Sequence, residues 1–263
     1  MSGSALAVQQ INQKRMTGSA MKGGNEILEF ERYNTAIKDI AGVQDISTFY
    51  RLFEGTPSAD SMGYDECNHL LSDIRTEKSR TKIAWAIKKS LLQFYNEDHR
   101  TLVTNIFSHG AGSDDFRFAF FWHFILTNRL FREISIGVFS KVYYSGRASI
   151  SQNDIIPFIK EIKTESGSPI WAEETIYRLA TKYLSLVTKL NFVSSGRIKS
   201  FNHIRPSTEA QILFLYFSKL LSPSAGNILI HEMLPVSFVP SEDVQDRLKK
   251  LSLKGFFNMN FNG

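Results

Sequence analysis

The sequence predicts a mainly α-helical protein made of two helical domains, the second of which carries a short β-hairpin. Three observations predict it. Apolar residues recur at helical spacing through most of the 263-residue chain, the pattern of amphipathic helices rather than strands. The run Ser145-Gly-Arg-Ala-Ser149 interrupts that pattern and marks a domain boundary at 146–150. Between Phe192 and Arg205, short strand-like pieces flank Gly196. With 43% hydrophobic and 22% charged residues, and 21 Phe, the composition is that of a globule with an aromatic core, which excludes a disordered or collagen-like chain.

The elements follow in order. Residues 1–24 contain no acid, are rich in Gly, Ser and Gln, and carry Lys14, Arg15 and Lys22, so a flexible basic tail is expected up to Gly23-Gly24. Ile27, Leu28, Phe30, Tyr33, Ile37 and Ile40 predict a first helix over Asn25–Ile40, and residues 55–63 read as a loop. Ser72 to Phe94 reads as a long helix with Ile83, Ala84, Ile87, Leu91 and Phe94 inward. After the break at His109, Asp114 to Tyr144 reads as two aromatic helices that complete a domain over 25–148.

The second domain, 149–222, opens on a short helix from Ser151 to Ile162 and turns at Thr164–Pro169. A helix from Ile170 to Leu190 follows, then the hairpin. Pro206 and a Thr208-Glu-Ala-Gln211 capping box introduce a helix over Glu209–Leu221. Residues 223–263 form a C-terminal extension with a short helix at Ser241–Leu253. Helix, turn, basic helix, basic hairpin, helix is the outline of a winged helix-turn-helix, whose second helix enters a major groove. A generic helical domain with a β-excursion shares that outline.

Charge is unevenly distributed along the chain. The net +5 conceals +5 in residues 74–90, +6 in residues 178–205, where no acid occurs, and +3 in the tail, leaving −9 on the remainder. Such asymmetry is the electrostatic footprint of a polyanion binder, although a single basic run is also what a solvated helix face looks like. At 100° per residue Lys78, Lys82, Trp85 and Lys89 fall within about 60° of one another, and Arg178, Lys182, Ser185 and Lys189 repeat the same spacing. Arg197, Lys199 and Arg205 decorate the hairpin.

Catalytic signatures are missing. Neither a Gly-x-x-x-x-Gly-Lys phosphate loop nor a His-Glu-x-x-His zinc motif occurs, the six histidines lack ligand spacing, and no cofactor is expected. His123, inside an aromatic helix, reads as a satisfied core histidine. The single cysteine, Cys67, excludes an intrachain disulfide and fits a reducing, cytoplasmic setting. The most apolar window, Phe118–Leu126, is far short of the roughly 20 residues that span a bilayer. Asp154 with Glu161-Ile-Lys163 loosely matches a nuclease pattern but sits in a helical repeat.

An ordered set of stretches resembles the BrxA family of the bacteriophage-exclusion (BREX) defence systems. These are Leu70-Leu-Ser-Asp-Ile-Arg-Thr-Glu-Lys-Ser-Arg-Thr-Lys82, Phe120-Phe-Trp-His-Phe-Ile-Leu-Thr-Asn-Arg-Leu-Phe131 with Val138-Phe139, Ile150–Phe158, and Trp171-Ala-Glu-Glu-Thr175. The resemblance covers roughly residues 20–222. It implies a small, non-catalytic, mostly helical member of a defence operon that binds double-stranded DNA beside partner proteins of that operon.

The expected DNA contacts are Lys78, Arg80, Lys82, Trp85 and Lys89 from the first domain, Arg178, Lys182 and Lys189 on the groove-facing helix, and Arg197, Lys199 and Arg205 on the wing. Lysines outnumber residues suited to base edges, so little sequence specificity is expected. No membrane and no small-molecule substrate are expected. The competing readings are a scaffold whose basic helices dock acidic partner proteins, and an RNA binder that stacks bases on Trp85.

Overall fold

The computed structural model describes residues 31–43, 49, 71–72, 74–109, 115–222 and 227–257. The predicted tail, the 55–63 loop, Cys67 and the start of the first predicted helix lie outside them. Within the described residues the architecture is mainly helical: α1 (Ala36–Ile40), α2 (Glu77–Ser90), α3 (Glu97–His109), α4 (Asp115–Thr127), α5 (Arg129–Ile134), a π-helical turn at Ser135–Phe139, α6 (Ser140–Tyr144), β1 (Ser149–Ile150), α7 (Gln152–Glu161), α8 (Glu173–Lys189), β2 (Lys199–Ser200), α9 (Thr208–Leu221) and α10 (Ser241–Leu253). No helix among them is long and apolar enough to cross a membrane.

Helix α4 is the axis of the fold. Every residue from Phe118 to Thr127 is buried, because Phe, Ala, Ile and Leu occupy all sides of the helix rather than one stripe. Phe121 packs edge-on to Phe131 at 5.4 Å and to Phe192 at 5.1 Å, and Phe118 stacks on Trp122 at 5.6 Å. The Trp122 indole N–H donates to the Val236 carbonyl at 2.9 Å, satisfying the one polar atom of that side chain. One continuous cluster of buried residues runs from Ala36 to Phe238 and joins the two predicted domains through the same aromatic core.

Two histidines complete the interior. The Tyr95 backbone N–H donates to His99 Nδ1 (3.2 Å), His99 Nε2 meets His123 Nδ1 (3.0 Å), and His123 Nε2 meets the Leu91 carbonyl (2.7 Å). Only neutral rings can run this relay, with each Nε2–H donating onward. Burial lowers the pKa of His123 to about 4 against the pull of the Leu91 carbonyl, and burial followed by His123 drives His99 well below its ordinary value. His123 is therefore the satisfied core histidine its surroundings predict.

Several helix ends depart from the periodicity. The first helix, within the described residues, begins at Ala36, because the Asn34 side-chain oxygen accepts both the Ala36 N–H (3.0 Å) and the Asn128 amide (2.8 Å). Upstream, the Tyr33 hydroxyl is fixed on Glu133, while Glu31 pairs with Arg132 and accepts from Tyr95 at 2.6 Å. Helix α2 starts at Glu77 rather than Ser72, since Thr76 is in an extended conformation and its hydroxyl receives the Ser79 N–H. Ser207, not Thr208, caps α9, accepting from the Ala210 N–H at 2.9 Å. Two helices are expected over 114–144, and Asn128 divides the region, capping α5 by accepting from the Phe131 N–H.

Gly146 (φ +78) turns the chain into β1. That strand pairs antiparallel with β2, Ser149 opposite Ser200 and Ile150 opposite Lys199. Residues 192–194 pair with the other edge of the returning strand through a Val193–Phe201 bridge and a Ser194 N–H to Ser200 carbonyl bond of 2.8 Å. Helix α8 ends in a Schellman motif: Phe192 N–H reaches the Val187 carbonyl and Asn191 N–H that of Thr188, with Asn191 left-handed at φ +58. The Asn202 amide bonds Asn191 and closes the base of the hairpin. Gly196 has no positive φ, so the tip is shaped by the Ser194 hydroxyl, which donates to Ile198 O and accepts from Ser200 N–H.

Candidate nucleic-acid interface

Helix α2 buries Ile83, Ala86 and Ile87 and turns its cations outward. Lys78 and Lys82 are exposed, and Trp85 is 60% exposed with the Lys89 ammonium 4.1 Å above its ring. Arg80 leans back and donates to the Ile74 carbonyl at 2.8 Å. The predicted stripe thus exists, with Lys78 and Lys82 as its solvent-facing cations.

Helix α8 buries Ile176, Leu179, Ala180, Tyr183, Leu184, Leu186 and Val187. Its opposite face presents Arg178, in an exposed ion pair with Glu174, together with Thr181 and Lys182. Pairs so open to water contribute little and are readily exchanged for another anion. Tyr177, 55% exposed, adds an aromatic surface beside Arg178. Sequence reading did not single it out, but its absence from the apolar set of α8 and its place next to Arg178 were a readable signal.

Lys189 serves the fold instead. Its ammonium donates to the carbonyls of Ala41 (2.6 Å) and Val43, holding the end of α1 against α8. Burial, then the neighbouring Lys182, lowers its pKa. Lys199 is similarly turned onto its own hairpin, 3.4 Å from the carbonyls of Ser194 and Ser195. Arg197 and Arg205 are exposed, and Ile198, 69% exposed, stands at the tip beside Arg197.

Helix α1 packs against both α2 and α8 and brings the two stripes together. Asp39 is the point of convergence: burial raises the pKa of its carboxyl, while Lys38, Lys82 and Lys182 all act on it in the other direction. Lys82 of α2 and Lys182 of α8 thus both act on the one carboxyl of α1. The two helices that carry the basic stripes share α1 as a neighbour.

Asp154, the acid of the loose nuclease pattern, is spent on structure. It accepts from Arg147 (2.6 and 3.2 Å) and from the backbone and side chain of Ser151, forming a capping box on α7. Burial raises its pKa, but these donors outweigh burial and leave the carboxyl below its usual value. Among the described residues no group of three His, Cys, Asp or Glu is placed to hold a metal ion.

The BrxA family model matches residues 67–214, more than half of the chain. The chain belongs to the BrxA family. The family places the protein in the context of a BREX-type defence system. No curated protein and no solved structure matches the chain. The BrxA span takes in α2 and α8 with their cations, the hairpin, and the first half of α9. It leaves outside α1, which joins the two stripes, and the segment 227–257, which packs Val236 and Phe238 into the core.

Proposed function

We propose that this BrxA-family protein is a double-stranded-DNA-binding accessory of its defence system, with no catalytic step of its own and little base specificity. The observation that carries the proposal is the packing of α1 against both α2 and α8, which brings the two separated basic segments to the same short helix. A polyanion crossing α1 would meet cations from both elements at once.

We read β1, α7, α8 and the 192–202 hairpin as a winged helix-turn-helix. The support is the order of elements and the pairing of β1 with the returning strand of the hairpin. On this reading α8 is the groove helix, with Arg178, Tyr177 and Thr181 outward, and the wing carries Arg197. Lys78, Lys82, Lys182 and Arg205 contact phosphates. Arg80, Lys89, Lys189 and Lys199 shape the surface from behind, because their cationic groups already lie on carbonyls or on Trp85.

Six engaged cations give a slope of about −5 in log K against log salt, measured by anisotropy on a random duplex of about 30 bp. Lys78→Ala/Lys82→Ala and Arg178→Ala/Lys182→Ala should each lower affinity and reduce the slope by about 2. Asp39→Asn, which removes an acid on the helix packed against both stripes, should tighten binding severalfold. A flat salt response, or two double variants that bind like wild type, would refute the reading. A scaffold that docks acidic proteins would instead keep its operon partner after nuclease digestion.

A further inference from the structure

A cavity of about 220 Å³ opens between the end of α6, residues 203–205, and Phe238, Pro240 and the middle of α10. Its walls are Tyr143, Tyr144, His203 and Arg205 on one side and Phe238, Pro240 and Arg247 on the other, over Ile204. Phe238, Pro240 and Arg247 lie outside the BrxA-matched span, so the C-terminal segment completes the cavity.

Its chemistry is two-sided. Arg205 and Arg247 have no acidic partner within salt-bridge distance among the described residues, and His203 adds a third nitrogen donor. No acidic residue among those described lines the cavity, and Glu242 stands exposed on the helix that carries Arg247. The cationic side exceeds the acidic one. The remaining wall is aromatic: Tyr144 is 41% exposed, and Tyr143 is wedged edge-on against Tyr144 (5.2 Å) and Phe201 (5.3 Å) and cannot turn away.

Volume and lining together select the ligand. The space of about 220 Å³ holds more than a bare phosphate, lies just below the range of about 300–1,000 Å³ usual for organic ligands, and is open on one side. Two forked guanidinium groups suit a phosphate, and an exposed tyrosine face suits a flat heterocycle. We propose that this cavity binds one nucleoside monophosphate, its phosphate received by Arg205 and Arg247 and its base laid against Tyr144. A free nucleotide and the 5′-phosphorylated end of a DNA strand present the same chemistry.

The test is calorimetric titration of the full chain with adenosine 5′-monophosphate, inorganic phosphate and a 5′-phosphorylated single strand. AMP should bind at least about tenfold more tightly than phosphate, and Arg247→Ala and Tyr144→Leu should each weaken it about tenfold. Arg205→Gln, at an exposed position, reads the same loss if Arg247→Ala fails to fold. Binding of the phosphorylated strand but not AMP, with the same variant losses, identifies a strand terminus as the ligand. Failure of both ligands to bind, or equal binding by wild type and variants, overturns the proposal. Lys78→Ala/Lys82→Ala, outside the cavity lining, should leave AMP binding unchanged, and Arg247→Ala should leave duplex binding unchanged, so the two sites fail or stand separately although Arg205 is assigned to both.

Discussion

At the residue scale the buried histidine relay couples the interior to pH. Both rings must be neutral to complete the chain from Tyr95 N–H to the Leu91 carbonyl, and both have pKa values lowered by burial. A group whose folded pKa is depressed contributes stability that is present above its unfolded value and lost as pH falls toward the folded one. For His123 that window runs from the ordinary imidazole value of about 6.5 to about 4. Its share of the loss is at most about 3 kcal/mol. The thermal midpoint is therefore expected to hold between pH 7 and 8 and to fall steadily below pH 6.5. A midpoint unchanged down to pH 5 would mean that the pair tolerates a proton. Cationic residues divide by the same local accounting. Lys189 and Lys78 look alike in sequence, yet one is held by the Ala41 and Val43 carbonyls and the other faces water.

At the element scale the π-helical turn is the feature with the most exacting geometry. A Cβ on Gly137 would stand 2.7 Å from Phe158 Cε2 and 3.0 Å from Cζ, so α7 crosses this turn in direct ring-to-backbone contact. Gly137→Ala is expected to cost about 1–3 kcal/mol in urea unfolding, as overpacking does, and Gly137→Ala/Phe158→Leu should recover part of it. If the single variant is as stable as wild type, the contact is not tight. Nothing in residues 135–139 announces this turn, because what it answers lies on another helix. The helix ends that were legible are those set by neighbouring residues: α10 spans Ser241–Leu253 as its apolar spacing predicts, and Ser151 opens α7. The ends that were not legible depend on remote partners, as with Asn34 on Asn128, or on a choice between adjacent hydroxyls, as at Ser207 and Thr208. The candidate interface divides likewise. The periodicity of the two stripes was readable, whereas the packing of both their helices against α1 required the fold.

At the scale of the whole molecule, one aromatic cluster links α4, the 192–202 hairpin and the 234–239 segment. Neither predicted domain keeps this core to itself, since Phe192 and Phe238 pack against Phe118 and Phe121. Calorimetry should accordingly record one cooperative transition, with calorimetric and van't Hoff enthalpies in agreement. Two resolved transitions would show that the halves are held together less strongly than their shared burial indicates. The same core sorts the three tryptophans by surroundings. Trp122 is sealed beneath the Phe rings with its indole N–H on Val236, Trp171 sits edge-on to Tyr33, and Trp85 stands in water under an ammonium group. Red-shifted, iodide-quenchable emission thus originates from α2, and blue-shifted emission from the interior. The unlabelled chain carries its own two-colour reporter, one colour sensing what settles on the basic surface and the other whether the protein is still folded.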